Sequence, residues 1–528
     1  MIPTPHHSAG SDSASDSAPH STASAAHSST NAAVQTTPTD CAQPRTTAHP
    51  PGLRTLFFTE LWERFSYYGM RALLVLFMTT AAAEGGLGFS TERAALVYGY
   101  YTMLVYMLSI FGGYIADRII GARQSVLVGG VIIACGHFTM ALHSTASFYL
   151  GLGLVAIGTG LLKPNISTMV GSLYQPDEHA RRDAGFSFFY MGINLGALVA
   201  PLITGFLAQH AWFQAWLTAR GLDPQHSWHW AFAAAGIGMT IGLIVYLRNA
   251  RTLRGIGDGP AISGSQKLGN FARSGLYLAL LGALGWATNQ VPSLVGVLAA
   301  AITLAVIVYA IYGGENGRRT AAIFVLFAAS IVFFAVFEQT GSSINLFARD
   351  FTDNRFLGHA FPSAWYQSVN SVFIIALAPA FSWLWLRLGQ RQPSAPLKFT
   401  FGLGFVGLSF ALMVPAARLA DQGLVSPLWL IGLLLLQTVG ELCLSPVGLS
   451  TVTQLAPARL VGVMMGGWFL ATSIGNFLSG YLARTFGNEG GGEGLADFFG
   501  QQALLVFAAT AALLCLVPLV KRLMGTSQ

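Results

Sequence analysis

From residue 53 onward the chain is a succession of long apolar blocks separated by short polar breaks. A helix needs about 20 predominantly apolar residues to cross the hydrocarbon core of a bilayer. Blocks of that length predict spans at 55–83, 93–117, 124–143, 147–172, 183–210 and 230–248. The polar stretch RNARTLRGIGDGPAISGSQKLGNFAR then interrupts. Two further spans are predicted at 275–291 and 293–313, and six more at 320–342, 364–387, 397–417, 427–454, 459–484 and 500–521. Residues 1–52 lack the pattern. They are rich in Ser, Thr, Ala, His, Pro and Asp, without the apolar h-region of a secretory signal, and read as a disordered tail.

Composition removes the soluble alternatives. Of 528 residues, 9% are charged and 53% hydrophobic, and mean hydropathy is +0.55. A soluble chain has too few charges here to cover that much apolar surface. The net charge of +6 is scattered between apolar blocks, with no basic stripe, which argues against nucleic acid as a partner. The lipid bilayer is the expected one.

The loops carry orientation. One set holds Arg118, Arg123, Arg181, Arg182, Arg248, Arg251, Arg254, Lys267, Arg273, Arg318, Arg319, Arg387, Arg391, Lys398, Arg459, Lys521 and Arg522; the alternate set holds only Arg93, Arg220, Arg349, Arg355, Arg418 and Arg484. By the positive-inside rule the rich side is cytoplasmic, and so are both termini. The expected organisation is an all-α membrane protein of fourteen transmembrane helices: a tail (1–52), a six-helix bundle (53–248), a cytoplasmic linker (249–274), an inserted helix pair (275–313) and a second six-helix bundle (320–522). Two such halves around a midplane cavity are the build of major facilitator transporters. The pair at 275–313 contains no charge and is expected to face lipid.

Intramembrane charge is costly, about 2.5–3.5 kcal/mol per residue on insertion scales, so each instance needs a reason. The first span reads TELWERFSYYGMRALLVLF. At about 100° per residue, Glu60, Glu63, Arg64, Tyr67 and Arg71 fall within one arc of about 100°, with Tyr68 at its edge. A buried salt-bridge cluster that only orients helices is the structural alternative; the number of groups favours a proton and substrate site. The fourth span adds Lys163, and the fifth aligns Phe186, Tyr190 and Asn194 on one face. The second half adds Glu338, Asn370, and Glu441 with Ser445 at i and i+4. Together these make a cavity with a cationic and an anionic pole, suited to a zwitterion: Arg64 and Lys163 for a carboxylate, Glu441 for an ammonium, tyrosines with Asn194 and Asn370 for an amide, and Trp468 as an aromatic wall.

The chain contains neither GxxxxGK[ST] nor HExxH, so nucleotide-driven transport and zincin chemistry are not expected. No cofactor or metal is expected, and protons are the expected coupling ion. The tail histidines His6, His7, His20, His27 and His49 read as solvated filler. Cys41 lies in the tail and Cys135, Cys443 and Cys515 in apolar runs, so no disulfide is inferred.

ELWERFSYYG resembles the ExxERFxYYG signature of the proton-dependent oligopeptide transporter (POT, or PTR) family. FSFFYMGINLGAL resembles that family's fifth-helix signature, and GGYIADRIIGAR resembles the major facilitator loop motif. The resemblance runs over about 53–522, and an extra helix pair is typical of bacterial members. It implies a proton-coupled symporter importing di- and tripeptides across a bacterial inner membrane by alternating access, not an enzyme, with a monomer as the default. It implies Glu60, Glu63 and Arg64 as coupling residues with Lys163 as their partner. Tyr68, Tyr106, Tyr190, Asn194, Asn370, Glu441 and Ser445 fall at peptide-site positions. Glu338 matches the seventh-helix acid and Arg71 its gate partner, while Asp117, Arg118 and Arg123 belong to the loop motif. Two departures stand out: Phe334 occupies a position that is often Trp, and residues 93–119 lack the histidine of animal relatives. The alternatives are the same fold carrying nitrate or another metabolite and, more remotely, a membrane-embedded enzyme. For the latter, His137 is the histidine central in a span, and it has no evident Ser or Asp partner.

Overall fold

A computed structural model describes residues 49–175, 177–290, 293–457, 460–487 and 492–525. The expected tail, apart from its last residues, and Arg459 lie outside the described residues. Ala48–Gln528 forms one compact unit.

The first half comprises α1 (Pro51–Thr79), α2 (Thr91–Ile115), α3 (Ala122–Met140), α4 (Thr145–Gly171), α5 (His179–Gln209), the short α6 (Ala211–Ala219) and α7 (Ser227–Arg248). After α8 (Gly264–Gln290) and α9 (Ser293–Tyr312) come α10 (Gly314–Phe337), the short α11 (Ser343–Asp350), α12 (Tyr366–Leu388), α13 (Ala395–Ala420), α14 (Leu428–Leu455), α15 (Val461–Ala483) and α16 (Gly492–Met524). Each predicted span overlaps one of the long helices. Ten helices among the described residues are long and apolar enough to cross a membrane, and the chain is a multi-pass membrane protein. The charged α1 is not among those ten; its Glu60, Glu63 and Arg64 are buried in protein instead.

Three details differ from the pattern-based reading. The helix predicted at 320–342 breaks at Phe337, turns through a 3₁₀ segment at Glu338–Gly341, and resumes as α11. Thr340, Gly341, Ser342 and Ser343 are poor helix formers, which accounts for the break. The expected linker 249–274 is helical from Gly264, so α8 starts before its apolar stretch. The expected tail boundary at 52 falls inside α1, whose first turn opens on Pro51, a residue suited to that position.

Helices α1, α5 and α7 pack together, as do α3 with α4 and α7, and α2 with α4. In the second half α10 packs on α15 and α16, α13 on α14 and α16, and α12 on α14. Across the halves α2 meets α15, α5 meets α12, and the end of α1 meets α11. Small residues permit the closest approaches, as expected where lipid supplies no hydrophobic drive. A Cβ on Gly112 of α2 would lie 1.9 Å from the Gly160 carbonyl oxygen of α4. A Cβ on Gly480 of α15 would lie 2.4 Å from the Ala95 carbonyl oxygen and 2.6 Å from Gly99 Cα of α2.

The loop between α2 and α3 passes through a π-helical turn, Ala116–Ile120, that contains Asp117 and Arg118. It anchors the segment after α7: Arg123 pairs with Asp258 at 3.1 Å, its N–H donates to the Gly257 carbonyl at 2.9 Å, and Asn270 of α8 donates to the Arg118 carbonyl at 3.1 Å. The strands β1 (Arg355–Phe356) and β2 (His359–Ala360) form a small antiparallel hairpin pairing Arg355 with Ala360 and Phe356 with His359.

Candidate functional site: a cavity between the two halves

A cavity of about 240 Å³ lies where the two halves face each other. From the first half it is lined by Tyr68 and Arg71 of α1, Tyr106 of α2, and Tyr190 and Asn194 of α5. From the second it is lined by Phe334 and Glu338, Asn370 of α12, Glu441 and Ser445 of α14, and Trp468 of α15. These expected residues converge because helical spacing puts each pair on one face: Tyr190 with Asn194, and Glu441 with Ser445, four apart.

Glu60, Glu63, Arg64, Tyr67 and Lys163 do not line it. Arg64 Nε lies 2.6 Å from Glu60 Oε1 and 3.1 Å from Glu63 Oε2. All three are buried, and Glu60 Oε2 and Glu63 Oε1 have no hydrogen-bond partner among the described residues. Lys163, expected to pair with these acids, has no carboxylate within ion-pair reach among the described residues. Its Nζ stands 3.7 Å from the centroid of the Tyr106 ring, a cation–π contact. Both acids pair with the Arg64 guanidinium, and the lysine stands against the aromatic face instead. Tyr106 thus has Lys163 against its ring and borders the cavity as well.

Arg71 and Glu338 form an ion pair across the halves. Arg71 Nε also donates to the Tyr98 hydroxyl at 2.8 Å, and that hydroxyl donates to the Glu338 carbonyl at 3.3 Å. Three further bonds between the halves lie at the same end of the bundles. Asn345 of α11 donates to the Ala72 carbonyl at 2.8 Å, Arg349 to the Thr79 hydroxyl at 2.8 Å, and Trp365 to the Leu202 carbonyl at 3.1 Å.

On the far wall the Asn370 amide donates to the Thr438 hydroxyl at 2.9 Å and to Glu441 Oε2 at 3.3 Å. The Trp468 indole packs edge-on against Phe327, Phe334 and Phe399 at 6.4–6.5 Å between centroids. Gly448 makes room for it: a Cβ there would lie 2.1 Å from the indole. Phe334 therefore supports Trp468 as well as lining the cavity. Asn194 donates to the Tyr190 carbonyl of its own helix at 3.0 Å.

Several lining residues were not singled out from sequence, among them Thr340, Gln367 and Gln437. The signal was present: Gln367 precedes Asn370 by three residues and Gln437 precedes Glu441 by four, so each shares a face with a residue already chosen. His137 is buried in α3, and both its ring nitrogens lack a hydrogen-bond partner among the described residues. Such a group has no partner to make a nucleophile or base of it.

Comparison with known proteins agrees with this architecture. A POT family model matches residues 123–490. The chain is 39% identical over 490 residues to the uncharacterized transporter YclF of Bacillus subtilis (strain 168), covering 90% of this chain and 95% of that one. It is 37% identical over 515 residues to the peptide transporter YePEPT of Yersinia enterocolitica subsp. palearctica, covering 91% and 96%. Among solved structures, a point variant of peptide transporter POT in complex with alafosfalin superposes with a TM-score of 0.79 at 38% identity, covering 90% of this chain and 96% of that one. A POT family transporter in complex with 5-aminolevulinic acid superposes with a TM-score of 0.77 at 32% identity, covering 89% and 97%. With its helical halves, its polar cavity and these likenesses over nearly its whole described length, the chain belongs to the POT family and is a transport protein rather than an enzyme.

Proposed function

We propose that this chain is a proton-coupled symporter that imports di- and tripeptides across a bacterial inner membrane, with both termini cytoplasmic and the monomer as the working unit. The observation that carries the reading is the cavity with Glu441 and Asn370 on one wall and buried cations behind the other. Glu441 takes the peptide ammonium, and the Arg64–Lys163 side takes the carboxylate. Tyr68, Tyr190, Asn194 and Asn370 address the backbone, and Phe334 and Trp468 form a side-chain wall.

Coupling works by exchange of partners. An ionised Glu60 or Glu63 holds Arg64. Protonation of that acid releases the cation toward the Tyr106 wall, where it and Lys163 meet the incoming carboxylate. Removing one partner of a buried pair costs about 3–5 kcal/mol, enough to bias a two-state equilibrium. The bundles 53–248 and 320–522 rock about the cavity, and Arg71–Glu338 latches the outer mouth. On the positive-inside orientation that mouth is closed in this conformation. The helix pair 275–313 lies beside the path and faces lipid.

The test is uptake of a labelled dipeptide into liposomes containing only this protein, with and without an inward proton gradient. The expected result is accumulation that an uncoupler abolishes. Absence of uptake by folded protein would overturn the peptide reading. A second reading, another small molecule with amino and carboxyl ends, is favoured by the relative solved with 5-aminolevulinic acid; competition against the labelled dipeptide separates the two. Competition by nitrate instead would point to an anion carrier, for which Glu441 has no use.

A further inference from the structure

Three polar side chains from three separate elements meet on the second-half wall. The Thr340 hydroxyl, in the turn after α10, donates to Gln437 Oε1 of α14 at 2.8 Å. Gln367 Nε2 of α12 donates to the Thr340 carbonyl at 2.6 Å. Both glutamines border the cavity. Gln437 is 1% exposed, and its Nε2 has no hydrogen-bond partner among the described residues. Gln367 Oε1 likewise accepts no hydrogen bond from a described residue.

Turning the Gln437 amide over does not remove the deficit. The Thr340 hydroxyl has one proton and a second acceptor, the Phe337 carbonyl at 2.8 Å. Either the amide nitrogen or the amide oxygen of Gln437 therefore stays unpaired. A buried amide end left without a partner costs about 1–3 kcal/mol, and beside a ligand cavity that end is available to a group the ligand brings. Gln437 stands one helical turn before Glu441 on the same face, with Cβ atoms about 5–6 Å apart. That turn leads toward the latched mouth, since Val425, just before α14, bonds to Phe351 beyond α11.

We propose that Gln437 and Gln367, held by Thr340, form a polar subsite for the side chain of the peptide's first residue. The site selects a group that both donates and accepts, such as a hydroxyl, over an apolar isostere. The proposal rests on the peptide reading above, in which Glu441 holds the ammonium and places the first side chain beside Gln437.

The experiment measures uptake of Thr-Ala against Val-Ala, with Ala-Thr against Ala-Val as the positional control and Ala-Ala as the test of folding. The full chain is used, together with Gln437→Met and Gln367→Leu. The expected result is a preference for Thr-Ala of about fivefold, within the range one neutral hydrogen bond supports. That preference falls to near unity in either variant, while the Ala-Thr to Ala-Val ratio stays unmoved. Equal uptake of Thr-Ala and Val-Ala by the native protein overturns the subsite and leaves peptide transport standing, as does a preference that survives in both variants. Failure to transport any of the five peptides overturns the peptide reading, and the subsite with it. Should Gln437→Met lose Ala-Ala uptake, the Gln367→Leu ratios decide alone.

Discussion

The two halves treat charge in opposite ways. In the first, Glu60, Glu63 and Arg64 lie in the interior of the bundle, shut away from the cavity and closed on one another. In the second, Glu441 borders the cavity, and its carboxylate accepts only the Asn370 amide at 3.3 Å among the described residues. A charge whose partner is a neutral amide is ready for a cationic ligand. A charge already matched by an opposite charge must first be released. On the proposed reading the contrast separates recognition from coupling: the acid that meets the ligand's ammonium is in the second half, and the store of exchangeable ion pairs is in the first.

The largest expected effect breaks the store. Glu63→Gln is expected to abolish uphill, gradient-driven accumulation of dipeptide while downhill counterflow persists. Retained accumulation would place coupling elsewhere and dissolve the contrast. Opening the latch comes next. Arg71→Ala strands Glu338, and loss of one partner of a buried pair costs about 3–5 kcal/mol. Spin labels placed at the exposed positions 222 and 357, one in each half, are expected to move farther apart in the variant, and an unchanged distance would deny the pair its latching role. Recognition is sharpened by Glu441→Gln, expected to raise KM for a free dipeptide about tenfold or more, the scale of a charged hydrogen bond. An N-acetylated dipeptide, lacking the ammonium, is expected to lose far less; equal losses would remove Glu441 from ammonium binding.

The smallest effect lies outside both walls. The ring of His143, in the loop between α3 and α4, lies 4.0 Å between centroids from those of His226 and His229, tilted by 56° and 51°. Burial and the neighbouring His226 lower its pKa, with Asp223 opposing. The folded protein therefore binds this proton less readily than the unfolded chain, so stability is lost as pH falls through the ordinary imidazole value of 6.5. His143→Gln is expected to reduce the drop in melting temperature between about pH 7.5 and about pH 5.5. An identical drop in both proteins would show that the cluster carries no proton penalty.

The helices were legible because a membrane span writes itself as a run of apolar residues, and each predicted run meets a long helix. Less legible were features without that signature. The short α6, with Phe213 and Leu217 buried and Trp212 exposed, is too short to register as a span. The break before α11 depends on polar residues that a hydropathy run passes over. At the site, charge inside a helix was a strong signal, and Arg71, Glu338 and Glu441 stood out at once. Neutral amides were weak signals, and Gln367 and Gln437 passed unremarked until their partners in space were known. Lys163 shows the limit of reasoning from charge alone: which acid a lysine meets depends on how many cations already compete for it, and Arg64 takes both.

The approach of Gly480 to Ala95 and Gly99 has a bioenergetic consequence. Where α15 meets α2, backbone lies against backbone, with less room than even a methyl group requires. A file of water does not fit through such a joint, and without water there is no chain along which protons hop. On the proposed reading, the tightness of this seam sets how little of the proton-motive force is dissipated as leak between productive cycles.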